Sequence, residues 1–179
     1  MKNTIYIVGA LVVGVVIIIF AVKPNNGASS VNNINAAVEN GIQKESNIQT
    51  APDFSLERLG GGTLTLAEYK GRKPVVLDFW ATWCPNCQRD MPKLSALYDK
   101  YKDKVEVIGI NLHENPSLVQ KFITQRGITF PIALDPNDVA TRAYGVRYTN
   151  FHVLIDIEGN VVKAIPGDIS ESDITSLIN

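Results

Sequence analysis

The two cysteines of this 179-residue chain both lie in Trp80-Ala81-Thr82-Trp83-Cys84-Pro85-Asn86-Cys87. Thiols so spaced exchange with disulfides, staple the chain, share a metal, or sit inert. A staple gains most when it closes a long loop. The chain-entropy relation gives only about 2 kcal/mol for a four-residue loop, against about 4.7 kcal/mol for a hundred residues. A zinc site needs two further ligands, and only His113 and His152 remain, at a spacing that fits no common finger. The local pattern favours exchange. Lys73 to Trp80 is an apolar run that reads as a buried strand, and Gln88 to Tyr101 has helical periodicity. Cys84 then falls at a helix N-terminus, where unpaired N–H groups and the macrodipole stabilise a thiolate. A thiolate there is both nucleophile and leaving group, as disulfide exchange requires.

A carboxylate inside Val75-Val76-Leu77-Asp78-Phe79-Trp80 is costly unless it is paired or used. The bland alternative is an aspartate at a strand edge, facing water. Trp80 to Cys87 resembles the W-A-x-W-C-x-x-C active site of the thioredoxin superfamily. Asp78, six residues before Cys84, and Pro92, five after Cys87, match that superfamily's buried aspartate and helix-kinking proline. The resemblance implies that Cys84 is an exposed attacking thiol and Cys87 the resolving thiol. It implies that Asp78 is a base for Cys87, acting through water. It also places Trp83, Pro85, Thr149 and Asn150 on the substrate-facing rim, with Pro85-Asn86 tuning the potential. No cofactor beyond the Cys84–Cys87 redox disulfide is implied, and no metal. His113 and His152 read as structural or solvated.

The elements that must position these residues follow in order. Ala51 to Leu56 and Thr63 to Leu66 read as short strands turned by Gly60-Gly61-Gly62, which is no phosphate loop because no Lys-Ser/Thr follows. Lys104 to Ile110 reads as a strand. Asn115-Pro116 caps a helix that Gly127 stops, Phe130 to Leu134 is a strand, and Asn137 to Tyr144 a short helix. Phe151 to Asp156 and Asn160 to Ile165 form a hairpin about Glu158-Gly159, and Ser170 to Ile178 closes the chain as a helix. This order predicts an α/β fold, one mixed sheet covered by helices.

Thr4 to Val22 is an uncharged apolar stretch between Lys2 and Lys23. As a helix it spans about 28 Å, near the hydrocarbon thickness of a bilayer. A cleaved signal peptide would have a shorter apolar region and a small-residue cleavage site. Residues 1–23 are therefore expected to be a transmembrane signal-anchor. Residues 24–50, rich in Asn, Ser, Ala and Gly, read as a flexible linker reaching roughly 30 Å, and residues 51–179 as the folded domain. A net charge of −1 gives no electrostatic basis for binding nucleic acid.

From Ala51 onward the chain is similar to the extracytoplasmic TlpA/ResA-like branch of the thioredoxin fold. The resemblance rests on Ala51-Pro52-Asp53-Phe54-Ser55 and on an extra strand and helix between about His113 and Leu134. It implies a thioredoxin-like fold with an N-terminal β-hairpin and a strand–helix insertion. It implies a single-pass cell-membrane protein with its domain on the extracytoplasmic side, reducing disulfides of exported proteins such as apocytochrome c, with a membrane thiol carrier as electron donor. One departure stands out. Tyr144-Gly145-Val146-Arg147 and Val153 to Asp156 match the family's loop and strand, but Asn150 takes the place of the loop's cis-proline. A trans Thr149–Asn150 bond is expected, since the cis form costs about 3–4 kcal/mol before a non-proline residue. The Asn150 amide is expected to approach the sulfurs. This departure sustains a rival reading as a non-catalytic binding module. A thiol peroxidase is a further alternative, weakened because Val76 stands where peroxiredoxins have a proline.

Overall fold

A computed structural model describes residues 49–178. Among these, eight strands form one sheet: β1 (Gln49–Thr50), β2 (Ser55–Arg58), β3 (Thr63–Thr65), β4 (Val75–Trp80), β5 (Glu106–Leu112), β6 (Ile132–Asp135), β7 (Phe151–Ile155) and β8 (Asn160–Pro166). The helices are α1 (Pro85–Tyr101), α2 (Pro116–Arg126), α3 (Val139–Ala143) and α4 (Glu171–Thr175), with a 3₁₀ turn at Leu66–Tyr69. The strand order is β1-β8-β7-β4-β5-β6-β2-β3. β4 runs parallel to β5, and β5 to β6, while every other pairing is antiparallel. The mixed sheet, the N-terminal hairpin β2–β3 and the α2–β6 insertion are as expected.

The expected transmembrane segment at 4–22 and most of the expected linker lie outside the described residues. The sheet itself begins earlier than the expected boundary at Ala51. Gln49 and Thr50 pair with Val161 and Asn160 of β8, because the outer side of β8 is an open edge with unpaired backbone groups.

β4 lies at the centre, and all six of its residues are buried. Its side chains alternate between two apolar clusters. Val76 and Trp80 join Met91 and Leu94 of α1, Phe122 of α2 and Ile174 of α4 on one face. Val75, Leu77 and Phe79 join Phe54, Leu56 and Leu64 on the other. Each such side chain contributes roughly 1.5–3 kcal/mol on burial, so the strand that leads to the cysteines is firmly anchored. Asp78 points to the α1 face, between Val76 and Trp80.

Candidate active site

Residues Ala81 to Trp83 carry the chain over the end of the sheet and deliver Cys84 as the N-cap of α1, with Pro85 at the first helical position. Its sulfur accepts the N–H of Cys87 at 3.1 Å, satisfying one of the donors a helix start leaves unpaired. The two cysteines form a disulfide with Cα atoms 5.3 Å apart. The exposure expected of Cys84 is not found: the residue is only 4% exposed, and Cys87 not at all. Its sulfur is bonded inward to Cys87, and both residues belong to the apolar cluster under α1. What the site offers to solvent is Trp83, 67% exposed, beside exposed Pro85 and Asn86.

The approach to Cys84 is held by groups that the sequence reading passed over. The Glu114 carboxylate accepts the backbone N–H of Thr82 at 2.7 Å, the Thr82 hydroxyl, and the Asn111 amide at 2.8 Å. Gln88 donates to the Thr82 carbonyl at 2.8 Å. Pro92, inside α1, has no N–H for the carbonyl of Gln88, and Arg126 of α2 donates to that oxygen at 3.3 Å. The insertion thus supports the active-site loop directly.

Facing it is the loop before β7. No peptide bond among the described residues is cis, as expected at Asn150. Asn150 is 3% exposed and adopts the left-handed conformation at φ 59°. This is a region asparagine tolerates better than most residues. Its N–H donates to the Phe79 carbonyl, its own carbonyl accepts from Gly167 N–H, and its amide donates to Asp168 Oδ1 at 3.0 Å. That amide is thus held by Asp168. Arg89 of α1 fixes that acceptor through both carboxylate oxygens, at 2.9 and 3.0 Å, and also donates to Asn86. The Arg89 guanidinium holds the Asp168 carboxyl below its ordinary range. Trp83 and Thr149 meet in a groove of about 340 Å³ shared with Val146, Arg147 and Tyr148, and neither Pro85 nor Asn150 lines it.

β4, α1 and β7 each bury one ionisable side chain, Asp78, Asp90 and His152, within reach of one another. Asp78 is 1% exposed, which excludes the solvent-facing alternative. Burial, and then the charge of Asp90, push its carboxyl well above the ordinary carboxylate range. Asp90 of α1, also 1% exposed, is raised to about 6 by burial, against the opposing N–H of Ile169. His152 is not solvated. It is 1% exposed, and its Nε2 lies 3.4 Å from Asp78 Oδ1 and 3.6 Å from Asp90 Oδ2. Burial lowers its pKa to about 4. His113 is exposed and paired with Asp138 at 2.6 Å.

A two-cysteine disulfide at the head of the helix that follows the central strand of a thioredoxin-like sheet defines a thiol–disulfide oxidoreductase. The sequence profile of the AhpC/TSA family matches residues 48–164. Thiol-disulfide oxidoreductase ResA of Geobacillus thermodenitrificans is 44% identical over 126 residues, 70% of this chain and 72% of its own. The Bacillus subtilis protein of the same name is 35% identical over 144 residues, 80% of either chain. The crystal structure of a thioredoxin-family thiol:disulfide interchange protein from Chlorobium tepidum superposes with a TM-score of 0.67 at 25% identity, covering 75% of this chain and 96% of that one. The chain belongs to the AhpC/TSA family and, within it, to the ResA-like thiol–disulfide oxidoreductases.

Proposed function

We propose that this protein is a membrane-tethered reductant of disulfides in exported proteins, apocytochrome c among them, recharged by a membrane thiol carrier. The observation that carries the exchange chemistry is Cys84 as the cap of α1, its sulfur facing the first-turn N–H groups. Once the disulfide is reduced, that position stabilises the Cys84 thiolate. Cys84 attacks a substrate disulfide, forming a mixed disulfide and releasing one substrate thiol. Cys87 then gives up its proton, with Asp78 as base, and attacks Cys84. The Cys84–substrate bond breaks, and the second substrate sulfur leaves reduced and takes up a proton. The rim residues Trp83 and Thr149 border the groove in which substrate lies.

The direction also has a physical basis. Asp90 lies three residues after Cys87, on the same buried face of α1. A negative charge there opposes a thiolate at Cys87, favours the oxidised couple, and so makes the reduced form a better donor. Insulin reduction with a dithiol donor tests the activity, and Cys87→Ser tests the roles. That variant should accumulate mixed disulfides with exported proteins, and Cys84→Ser should accumulate none. Equal accumulation by both variants would overturn the assignment.

A further inference from the structure

We propose that His152 is a positioning residue of the exchange reaction, bridging the buried carboxyls of Asp78 and Asp90 so that the three side chains hold and pass the proton of Cys87. The inference rests on the dithiol reading of Cys84 and Cys87 and goes beyond it, since it gives His152 a role and joins Asp90 to Asp78 in proton transfer.

The argument begins with which ring nitrogen carries hydrogen. His152 Nδ1 lies 3.0 Å from the Gly167 carbonyl, which only accepts, so Nδ1 is protonated. In the neutral ring, Nε2 is then a bare lone pair. It faces Asp78 Oδ1 and Asp90 Oδ2 at 3.4 and 3.6 Å. Asp78 Oδ2, Asp90 Oδ1 and Nε2 all lack a hydrogen-bond partner. Acceptors crowded so closely in a buried site repel one another unless they share at least one proton. Nε2 is the atom that approaches both carboxyls, so a proton shared among the three is exchanged at Nε2.

The fold places this cluster where protons are needed. In the antiparallel register of β4 and β7, His152 stands directly opposite Asp78. Both project to the α1 face, where the neighbours of Asp78 on β4, Val76 and Trp80, pack in one cluster with Cys87. Cys87 is fully buried, so its proton has no direct route to bulk water. The charged groups bearing on the cluster come from each surrounding element: Asp78 from β4, Asp90 from α1 with Arg89 and Lys93 beside it, Asp168 from the segment after β8, and Asp173 from α4. When Cys87 attacks the mixed disulfide, its S–H proton enters the cluster as the sulfur–sulfur bond forms. Reduction of the disulfide runs the same transfer backwards. No oxidant beyond the substrate disulfide is required.

The test uses the full-length protein and dithiothreitol, so it does not depend on any protein substrate. His152 ring nitrogens are followed by NMR between about pH 4 and 8 in the oxidised and reduced states. The rate of Cys87 attack is measured from a preformed mixed disulfide of a small thiol on Cys84, in wild type and His152→Gln. General acid–base groups contribute about 10²–10⁴-fold. At least a tenfold slower attack at neutral pH is expected in the variant, together with ring titration midpoints in the wild type that differ between redox states. Midpoints unmoved by redox state, with a variant rate within about twofold of wild type, would overturn the proposal. The wild-type midpoints decide alone if the variant does not fold. Redox-linked midpoints in a protein that fails to reduce insulin would uphold this inference while rejecting the proposed function.

Discussion

At the scale of single residues, Asp78 and His152 oppose each other in their dependence on pH. The Asp78 carboxyl is raised on folding, so between its unfolded pKa near 3.8 and its higher folded pKa the unfolded state is the one that has lost the proton. Stability therefore falls as pH rises through that window. His152 is lowered from 6.5 to about 4, so the unfolded state binds a proton that the folded state refuses, and stability rises with pH over that interval. Asp78→Asn removes the first contribution and supplies an N–H towards His152 Nε2. The variant should melt above wild type at neutral pH, with a margin that grows from about pH 4 upwards. It should also resolve mixed disulfides more slowly. Thermal melts across pH check the first outcome, and a margin that does not change with pH would show that folding leaves the Asp78 carboxyl unraised. Asp78 was legible because a carboxylate interrupts an apolar strand. Asp90 carried a weaker signal, its spacing from Cys87, Met91 and Leu94 on one helical face. His152 alternates with buried Leu154, which marks the inward side of β7, but only the strand register reveals its neighbour.

At the scale of elements, the strands and helices followed from periodicity, while their ends depended on contacts across the chain. α3 starts at Val139, later than the expected Asn137, because the Asp135 carboxylate accepts the N–H groups of Val139 and Thr141. α4 begins as expected, at the Ser170–Asp173 capping box. It ends at Thr175, ahead of the expected Ile178, and Leu177 and Ile178 pack back on the core cluster. Gly109 in β5 illustrates a constraint that periodicity does not carry. A Cβ there would meet Ile132 Cδ1 at 2.7 Å, Trp80 Nε1 at 2.9 Å and Phe130 Cε2 at 3.0 Å. The indole of the strand that leads to the cysteines thus lies against bare backbone. Gly109→Ala should destabilise the domain by about 1–3 kcal/mol, the usual cost of overpacking. Denaturant unfolding measures it, and a midpoint equal to wild type would mean that Trp80 and Ile132 shift freely.

At the scale of the whole molecule, the catalytic fold and the proposed location rest on separate stretches of chain. Among the described residues no helix is long and apolar enough to cross a membrane, so a tether depends on Thr4 to Val22. That stretch carries no Asp, Glu, Lys or Arg, whereas a water-exposed amphipathic helix would need a polar face. Its length suits a bilayer span, and without a cysteine in it no lipid can be attached there through sulfur. The full-length protein should therefore sediment with membranes and resist extraction by high salt and by alkaline carbonate, both of which strip proteins held by charge alone. A chain lacking residues 1–23 should be recovered in the soluble fraction with its disulfide exchange intact, because the sheet and both apolar clusters are assembled after that segment. Membrane-bound recovery of the truncated chain would place the anchor elsewhere. A soluble product of the full-length chain whose N-terminus maps to about residues 24–30 would instead identify the segment as a cleaved signal, and the proposed tether would fall with the exchange chemistry untouched.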